Sequence, residues 1–191
     1  GFEIFAHGLR NVQEIAFDDF GNLFGVDNDA DKPGEKERFV HITEQSDSGW
    51  RCGYQYMKGY CPWVDESLWK PRFEGQPEYI TPPIANAHDG PVGFAFNPGT
   101  ALSSSWRGAF FGNQFPSGKM NVFRVSPEGA SFKVTEDSLV ASGVMGIGMS
   151  WSPDGRLFMA DWVGDYALNE IGAIWSVDDA TGTDSTERKE T

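Results

Sequence analysis

The stretch that decides the fold of this chain runs Glu14-Ile-Ala-Phe-Asp-Asp-Phe-Gly-Asn-Leu-Phe-Gly-Val-Asp27. A short apolar segment ends in Asp, a turn of Asp, Gly and Asn residues follows, and an alternating segment closes on a second Asp. The same pattern returns in Gly148-Met-Ser-Trp-Ser-Pro-Asp-Gly-Arg-Leu-Phe-Met-Ala-Asp161, and Gly93-Phe-Ala-Phe-Asn-Pro-Gly99 repeats its first half. Each copy is typical of a strand, a tight turn and a returning strand.

Widely spaced copies of such a hairpin predict stacked four-stranded sheets, that is, an all-β β-propeller. The copies account for about three blades, whereas closed propellers usually have at least four. We therefore expect 1–177 to be a partial β-propeller, about three blades of a larger ring that is completed by other residues or by another chain. The alternative is a small sandwich with imperfect hairpin repeats. The predicted strands are 14–17, 22–27, 38–43, 92–97, 108–113, 120–125, 131–135, 148–152, 156–161 and 172–177, and 178–191 is predicted to be a polar linker or tail.

The net charge of −13 disfavours binding to nucleic acid or to anionic membrane surfaces. No window approaches the roughly 18 apolar residues that a membrane span needs. The two cysteines, Cys52 and Cys61, fit neither a redox pair nor a zinc site by spacing. In an exported protein we expect them to form a local disulfide, and the alternative is two unrelated buried thiols.

An acidic segment, 27–37, follows the first hairpin. Because the hairpin 14–27 brings its two ends together, we expect Arg10 and Asn11 to lie close to Asn28. Carboxylates at alternating positions, with Gly34 allowing a bend, suit a hard cation such as Ca²⁺, although the pattern is not that of an EF-hand. The predicted metal ligands are Asp27, Asp29, Asp31, Glu35 and Glu37. The alternative is a solvated acidic turn that is balanced by Lys32, Lys36 and Arg38.

His88 is the histidine best placed for chemistry, because it lies between a Pro-rich loop and a predicted inner strand. That position predicts the mouth of a propeller channel, where His could transfer protons near neutrality. The alternative is a loop histidine that only forms hydrogen bonds. His41 alternates with Phe39 in a strand and is predicted to be structural.

Four motifs together resemble the glucose/sorbosone dehydrogenase family, the six-bladed propellers that include soluble PQQ-dependent sugar dehydrogenases. The motifs are 8–23, Val26-Asp-Asn-Asp29, Glu37 and Gly49-Trp50. Residues 86–112 and 161–175 look closer to a membrane-bound dehydrogenase branch that is often fused to a c-type cytochrome. Val12 and Glu14 depart from the family pattern, which has Pro and Gly there, and Met145-Gly-Ile147 stands where arginines are expected.

The resemblance implies that 1–177 is the C-terminal half of a six-bladed ring. It also implies a sugar-oxidising enzyme, periplasmic or secreted, that uses PQQ and Ca²⁺ and passes electrons to a cytochrome. It implies that Arg10 and Asn11 contact the quinone. Asn28, Asp29 and Ala30 fall where the family's loop lies against the cofactor, and the catalytic His belongs to an earlier blade. Two other functions stay open: a non-catalytic propeller that binds glycan or protein, and a Ca²⁺-dependent lactone hydrolase in which Asp27, Asp29 or His88 polarises water.

Overall fold

The computed structural model describes residues 1–28, 36–50, 59, 62–68, 71–77, 79–164 and 170–179. These residues form three antiparallel sheets, one short helix, α1 (Pro62–Asp65), and one 3₁₀ turn (Ser104–Trp106). The first sheet contains β1 (Val12–Phe17), β2 (Leu23–Asp27), β3 (Arg38–Ile42) and β4 (Ala85–Asn86). The second contains β5 (Pro91–Phe96), β6 (Phe110–Gln114), β7 (Lys119–Glu128) and β8 (Ser131–Ser142), and the third contains β9 (Gly146–Trp151), β10 (Leu157–Asp161) and β11 (Ala173–Val177).

Each sheet is a meander in which consecutive strands are neighbours. The first strands of the three sheets lie side by side, with β1 against β5 and β5 against β9. Later strands in each sheet lie progressively further from this line. Sheets that radiate from a shared row of first strands are the blades of a propeller rather than the two face-packed layers of a sandwich. The predicted fold class, a partial β-propeller, is confirmed.

One turn geometry recurs after the first strand of the first and third sheets. Asp18 and Ser152 each donate their N–H to the carbonyl four residues on, at 3.0 and 2.9 Å, and their side chains accept the N–H of that same residue. Gly21 and Gly155 each lie three residues after the residue that opens the turn. Their φ angles are +83° and +80°, a conformation that glycine adopts without strain. In the second sheet Asn97 holds the matching position, and its side chain accepts the Gly99 N–H at 2.9 Å. A longer loop then leads from β5 to β6.

Aromatic side chains fill the space between the first two sheets. Phe24 and Phe39 from the first sheet meet Phe94, Phe110 and Phe123 from the second, with ring centroids 4.9–6.0 Å apart. A second apolar cluster, which includes Phe111, Val122, Leu157 and Met159, lies between the second and third sheets. Rings in offset or edge contact stabilise such a core beyond the area that they bury.

The outward faces of the first and third sheets carry exposed apolar side chains. Ile15 and Phe17 on β1 are 54% and 59% exposed, and Ile174 on β11 is 70% exposed. Part of the first sheet's outward face is covered by the N-terminal segment, where Ala6 and Leu9 pack on Leu23, Val40 and Ile42. These exposed faces lie where the neighbouring blades of a ring would pack.

Strand positions agree with the sequence prediction to within a few residues, except in the second sheet. There the β7–β8 hairpin is longer than predicted, because β8 continues to Ser142. The two-residue strand β4 was not predicted. No helix among the described residues is long and apolar enough to cross a bilayer. Cys52 and Cys61 lie outside the described residues, so their disulfide stays a prediction.

Candidate functional site

The segment that leads into β1, residues 8–11, is held from two sides. On one side it runs along residues 46–50: His7 donates its N–H to Ser46 at 2.7 Å, and the Gly8 carbonyl accepts the Trp50 N–H at 2.9 Å. Gly8 has φ of +71°, and a Cβ there would lie 2.0 Å from Asp47 Oδ1, so only glycine fits. On the other side the buried Arg38 guanidinium donates to the carbonyls of Gly8 and Ser48, at 3.2 and 2.6 Å.

Asp27, at the end of β2, completes this arrangement. Its carboxylate is fully buried and accepts the N–H groups of Arg10 at 3.1 and 3.2 Å and of Asn11 at 2.7 Å. Its Oδ2 also pairs with the Arg38 guanidinium. A buried carboxylate is tolerated when a cation and several donors surround it, and Asp27 has both.

The third sheet uses the same device. Asp161, at the end of β10, accepts the Met145 N–H at 3.0 Å just before β9, and it also accepts Trp175 Nε1–H at 2.8 Å. The residue after each Asp donates back to the same entering residue, Asn28 to Asn11 at 3.3 Å and Trp162 to Met145 at 3.0 Å. In the first and third sheets, the Asp at the end of the second strand therefore binds the backbone of the segment that leads into the first strand.

Arg10 and Asn28 meet at the surface of this assembly. Arg10 Nη1 donates to the Asn28 carbonyl at 2.8 Å, and Asn28 and Asn11 are joined through their backbones. The prediction that Arg10 and Asn11 lie close to Asn28 is confirmed. Residues 8–11, 27–28 and 49–50, which carry the family resemblance, are thus neighbours in space.

Only two of the five predicted metal ligands, Asp27 and Glu37, fall within the described residues. Glu37 is buried and accepts the Gly90 N–H at 3.4 Å, and its carbonyl accepts the Ala87 N–H at 2.8 Å. Among the described residues there is no group of three or more His, Cys, Asp or Glu side chains that could hold a metal ion. Asp29, Asp31 and Glu35, together with Ala30, lie outside those residues, so the metal set stays a prediction.

Glu14 occupies the row of first strands. From β1 its carboxylate accepts the Phe94 N–H of β5 at 2.6 Å and the Met149 N–H of β9 at 3.4 Å. One side chain thereby joins all three sheets. Burial raises the pKa of the Glu14 carboxyl, and the two N–H groups offset part of that rise.

His88 lies elsewhere, and the prediction that it lies at the channel mouth is wrong. Its Nε2 is 2.6 and 2.8 Å from the two Asp137 oxygens and 2.9 Å from Asn121 Nδ2. Asn121 and Asp137 belong to the third and fourth strands of the second sheet, which are its outer strands. The chain comes from β4, the outermost strand of the first sheet, so His88 contacts the neighbouring sheet before the chain reaches β5. His41 is structural as predicted: it stacks on Phe24 with centroids 5.3 Å apart, and burial lowers its pKa.

Comparison with known proteins bears on the fold. No protein-family model matches the sequence, and no curated protein matches it. Solved structures do match: a glucose dehydrogenase aligns at TM-score 0.65 and 19% identity, covering 93% of this chain and 47% of that one. The PQQ-bound aldose sugar dehydrogenase of Streptomyces coelicolor aligns at TM-score 0.58 and 16% identity, over 91% of this chain and 44% of that one. The apo-form soluble aldose sugar dehydrogenase of Escherichia coli aligns at TM-score 0.59 and 19% identity, over 83% and 44%.

The fold is a partial β-propeller. The chain spans a little under half the length of these solved structures, which agrees with the three sheets counted along it. At such low identity the likeness establishes the fold alone.

Three interactions in this chain were missed by sequence reasoning. The Asp27–Arg38 pair had a signal, because Asp27 and Arg38 close and open two consecutive strands and so face each other in register. The role of Glu14 had no such signal, because its partners lie 80 and 135 residues away. Asp137 is 49 residues from His88 and was equally out of reach.

Proposed function

We propose that this chain belongs to a sugar-oxidising protein related to the PQQ-dependent sugar dehydrogenases, and that residues 8–11 and 27–28 form one edge of its cofactor site. The observation that carries this is the convergence of Arg10, Asn11 and Asn28 at one end of the β1–β2 hairpin. The family resemblance implies that these same residues contact the quinone, although Arg10 and Asn11 are separated from Asn28 by the whole β1–β2 hairpin.

The chemistry of these groups fits an anionic, carboxylate-bearing cofactor. The Arg10 guanidinium has a fixed direction because its Nη1 is bonded to the Asn28 carbonyl and its backbone N–H to Asp27. Arg is the side chain best suited to planar recognition of a carboxylate. A guanidinium that is already positioned loses little conformational freedom on binding, and this favours affinity.

The Asp27–Arg38 pair positions the site and is not itself exposed to a ligand. Both groups are buried, and both bind the backbone of residues 8–11: Arg38 donates to the Gly8 carbonyl, and Asp27 accepts the Asn11 N–H. When bound, the quinone would supply the two-electron acceptor for oxidation of the sugar, and this chain's own residues bind and orient it. Calcium, a cytochrome partner and an exported location remain parts of the proposal that rest on the resemblance.

The two other functions make different demands on the same residues. A lactone hydrolase needs a cation without the quinone, and a non-catalytic propeller needs neither. Met145-Gly-Ile147, which replaces the arginines expected for the cofactor, favours the non-catalytic function as the second candidate.

Titration of PQQ into the full-length protein, followed by absorbance and calorimetry with and without Ca²⁺, tests the proposal. We expect saturable binding that Arg10→Ala weakens at least tenfold, since one charge-assisted contact accounts for about 1.5–3 kcal/mol. Arg72→Ala is the matched control, because Arg72 is exposed and far along the chain from this site. Oxidation of aldoses with an artificial electron acceptor should follow the same order of variants.

Three other outcomes are informative. PQQ binding that is unchanged in Arg10→Ala would reject this edge as the cofactor site. Calcium binding without quinone binding would favour a hydrolase. Binding of neither ligand would leave the non-catalytic propeller.

A further inference from the structure

A cavity opens at the opposite end of the β1–β2 hairpin from Arg10 and Asn28. Its volume is about 340 Å³, within the range of small-molecule pockets. It lies between the β1–β2 turn of the first sheet and the β7–β8 hairpin of the second. The hairpin is five paired residues long, so the cavity is on the order of 15 Å from the proposed cofactor edge.

The walls of the cavity are aromatic. Four phenylalanines line it, Phe20 from the turn and Phe96, Phe110 and Phe132 from the second sheet. Phe96 and Phe110 meet at a centroid distance of 4.8 Å and an angle of 53°, so their rings form a corner rather than a flat wall. Phe20 stands at the rim and is 90% exposed. Its ring is therefore accessible to a ligand that enters the cavity.

The rim is acidic. Asp18 and Asp19 line the cavity next to Phe20. Asp18 is fixed by the turn, since it accepts the N–H groups of Phe20 and Asn22 at 2.9 and 2.8 Å. Asp19 is exposed, and within the described part of the chain no hydrogen bond or ion pair involves its carboxylate. Two basic side chains that neighbour lining residues pair with carboxylates, Lys133 with Glu128 at 3.2 Å and Arg124 with Glu136 at 2.8 Å. The side chain of Arg107, which precedes the lining residue Gly108, lies against Gly99.

We propose that this cavity binds a small organic cation with an apolar body, of the quaternary or tertiary ammonium class. Several aromatic rings attract a desolvated cation through their negative faces, and quaternary ammonium groups are recognised in aromatic cages of this kind. Two carboxylates at the rim add a longer-range attraction and exclude anions. The overall charge of −13 acts in the same direction. A neutral ligand would use the rings but gain nothing from Asp18 and Asp19.

Benzyltrimethylammonium is the probe for size, and choline paired with 3,3-dimethyl-1-butanol is the probe for charge, since the last two have nearly the same shape. Saturation-transfer and protein-observed NMR titrations on the full-length protein measure their affinities. We expect saturable binding of benzyltrimethylammonium and binding of choline at least fivefold tighter than that of its neutral counterpart. Phe20→Ala and Asp19→Asn should each weaken benzyltrimethylammonium binding threefold or more.

Both variants change exposed side chains, so they are expected to fold. Phe2→Ala and Glu3→Gln are the matched controls, because both residues are exposed and neither lines the cavity. Equal affinity for choline and its neutral counterpart would overturn the proposal, and so would binding that Phe20→Ala and Asp19→Asn leave unchanged. PQQ binding should be unaffected by either variant, so this test succeeds or fails independently of the proposed function.

Discussion

The first sheet has two faces that are equally apolar in sequence but differ in what covers them. The face toward the second sheet buries Phe24, Val26 and Phe39 completely or nearly so. The opposite face leaves Ile15 and Phe17 more than half exposed. Apolar residues on both faces of a strand indicate a sheet that is meant to lie between two layers. The comparison therefore separates interactions that this chain completes by itself from those that need a neighbour.

The largest expected effect is at the completed interface. Phe39→Ala removes a fully buried ring that contacts Phe24, Phe94, Phe110 and Phe123. The free energy of unfolding should fall by about 3–5 kcal/mol. Phe17→Ala, on the other face of the same sheet, should change it by less than about 0.5 kcal/mol in this chain alone. Equal losses in chemical denaturation would show that the two faces do not differ as described.

The second effect concerns the buried pair beneath the candidate site. Arg38→Met leaves the Asp27 carboxylate buried without its cation, which should cost about 3 kcal/mol of unfolding free energy. Asp27→Asn in the Arg38→Met background should recover part of that loss, because the uncompensated charge is gone. Arg156→Met, which breaks an exposed pair with Asp154, is the control and should change stability little. A loss of similar size in both single variants would mean that burial of the Asp27–Arg38 pair is not what makes it important.

A smaller, pH-dependent effect is expected at Glu14. Its folded-state pKa lies above the ordinary carboxyl value of 4.5, so the folded chain binds this proton more tightly than the unfolded chain. The resulting stabilisation is fully present below the ordinary pKa and is lost as pH rises through the raised folded pKa. Glu14→Gln removes this titration.

The measurement is the unfolding free energy of wild type and Glu14→Gln between about pH 4 and about pH 7. Wild type minus variant should decrease as pH rises. Glu3→Gln, an exposed carboxylate, provides the comparison that corrects for general charge effects. A difference that increases with pH would reverse the assignment, because it would mean that hydrogen bonds from Phe94 and Met149 outweigh burial.

The smallest expected effect is on the outward face of the third sheet. Ile174→Ser should alter the stability of this chain by less than about 0.5 kcal/mol, since the side chain is 70% exposed. In a protein whose ring is complete, the same change should lower the melting temperature clearly, because a neighbouring blade would bury that position. The measurement is the change in melting temperature that Ile174→Ser causes in this chain alone and in a protein whose ring is complete. Equal sensitivity in both would show that nothing packs on this face.

Sequence reasoning succeeded where the signal was local. The turns at Asp18 and Ser152, with Gly three positions later, fixed two hairpins, and strand alternation placed most of the other strands. The strand predicted at 131–135 was too short, since β8 continues to Ser142. Polar residues alternate through β8, as they do when one side of an outer strand faces solvent. Polar alternation of that kind is easily mistaken for a loop.

The candidate site was predicted in outline because the two ends of a hairpin are necessarily neighbours. The hairpin alone was therefore enough to predict that Arg10 and Asn11 lie close to Asn28, and no information about the rest of the ring was needed. His88 was misplaced because its partners, Asn121 and Asp137, come from a different sheet. The acidic residue that ends β2, Asp27, is a predicted metal ligand, and its carboxylate also accepts the backbone N–H groups of residues 10 and 11, as the Asp161 carboxylate accepts the Met145 N–H in the third sheet. Carboxylates that accept backbone N–H groups and those that bind cations look alike in sequence.

The side-by-side order of the sheets also governs how the molecule opens. The second sheet contacts a neighbour on each side, whereas the first and third each contact one described neighbour. In such a linear array opening is easiest at the ends and spreads inward one unit at a time. Amide hydrogen exchange should therefore be slowest in β5, β6 and β7 and faster in β10 and β11, so that protection forms a gradient along the array.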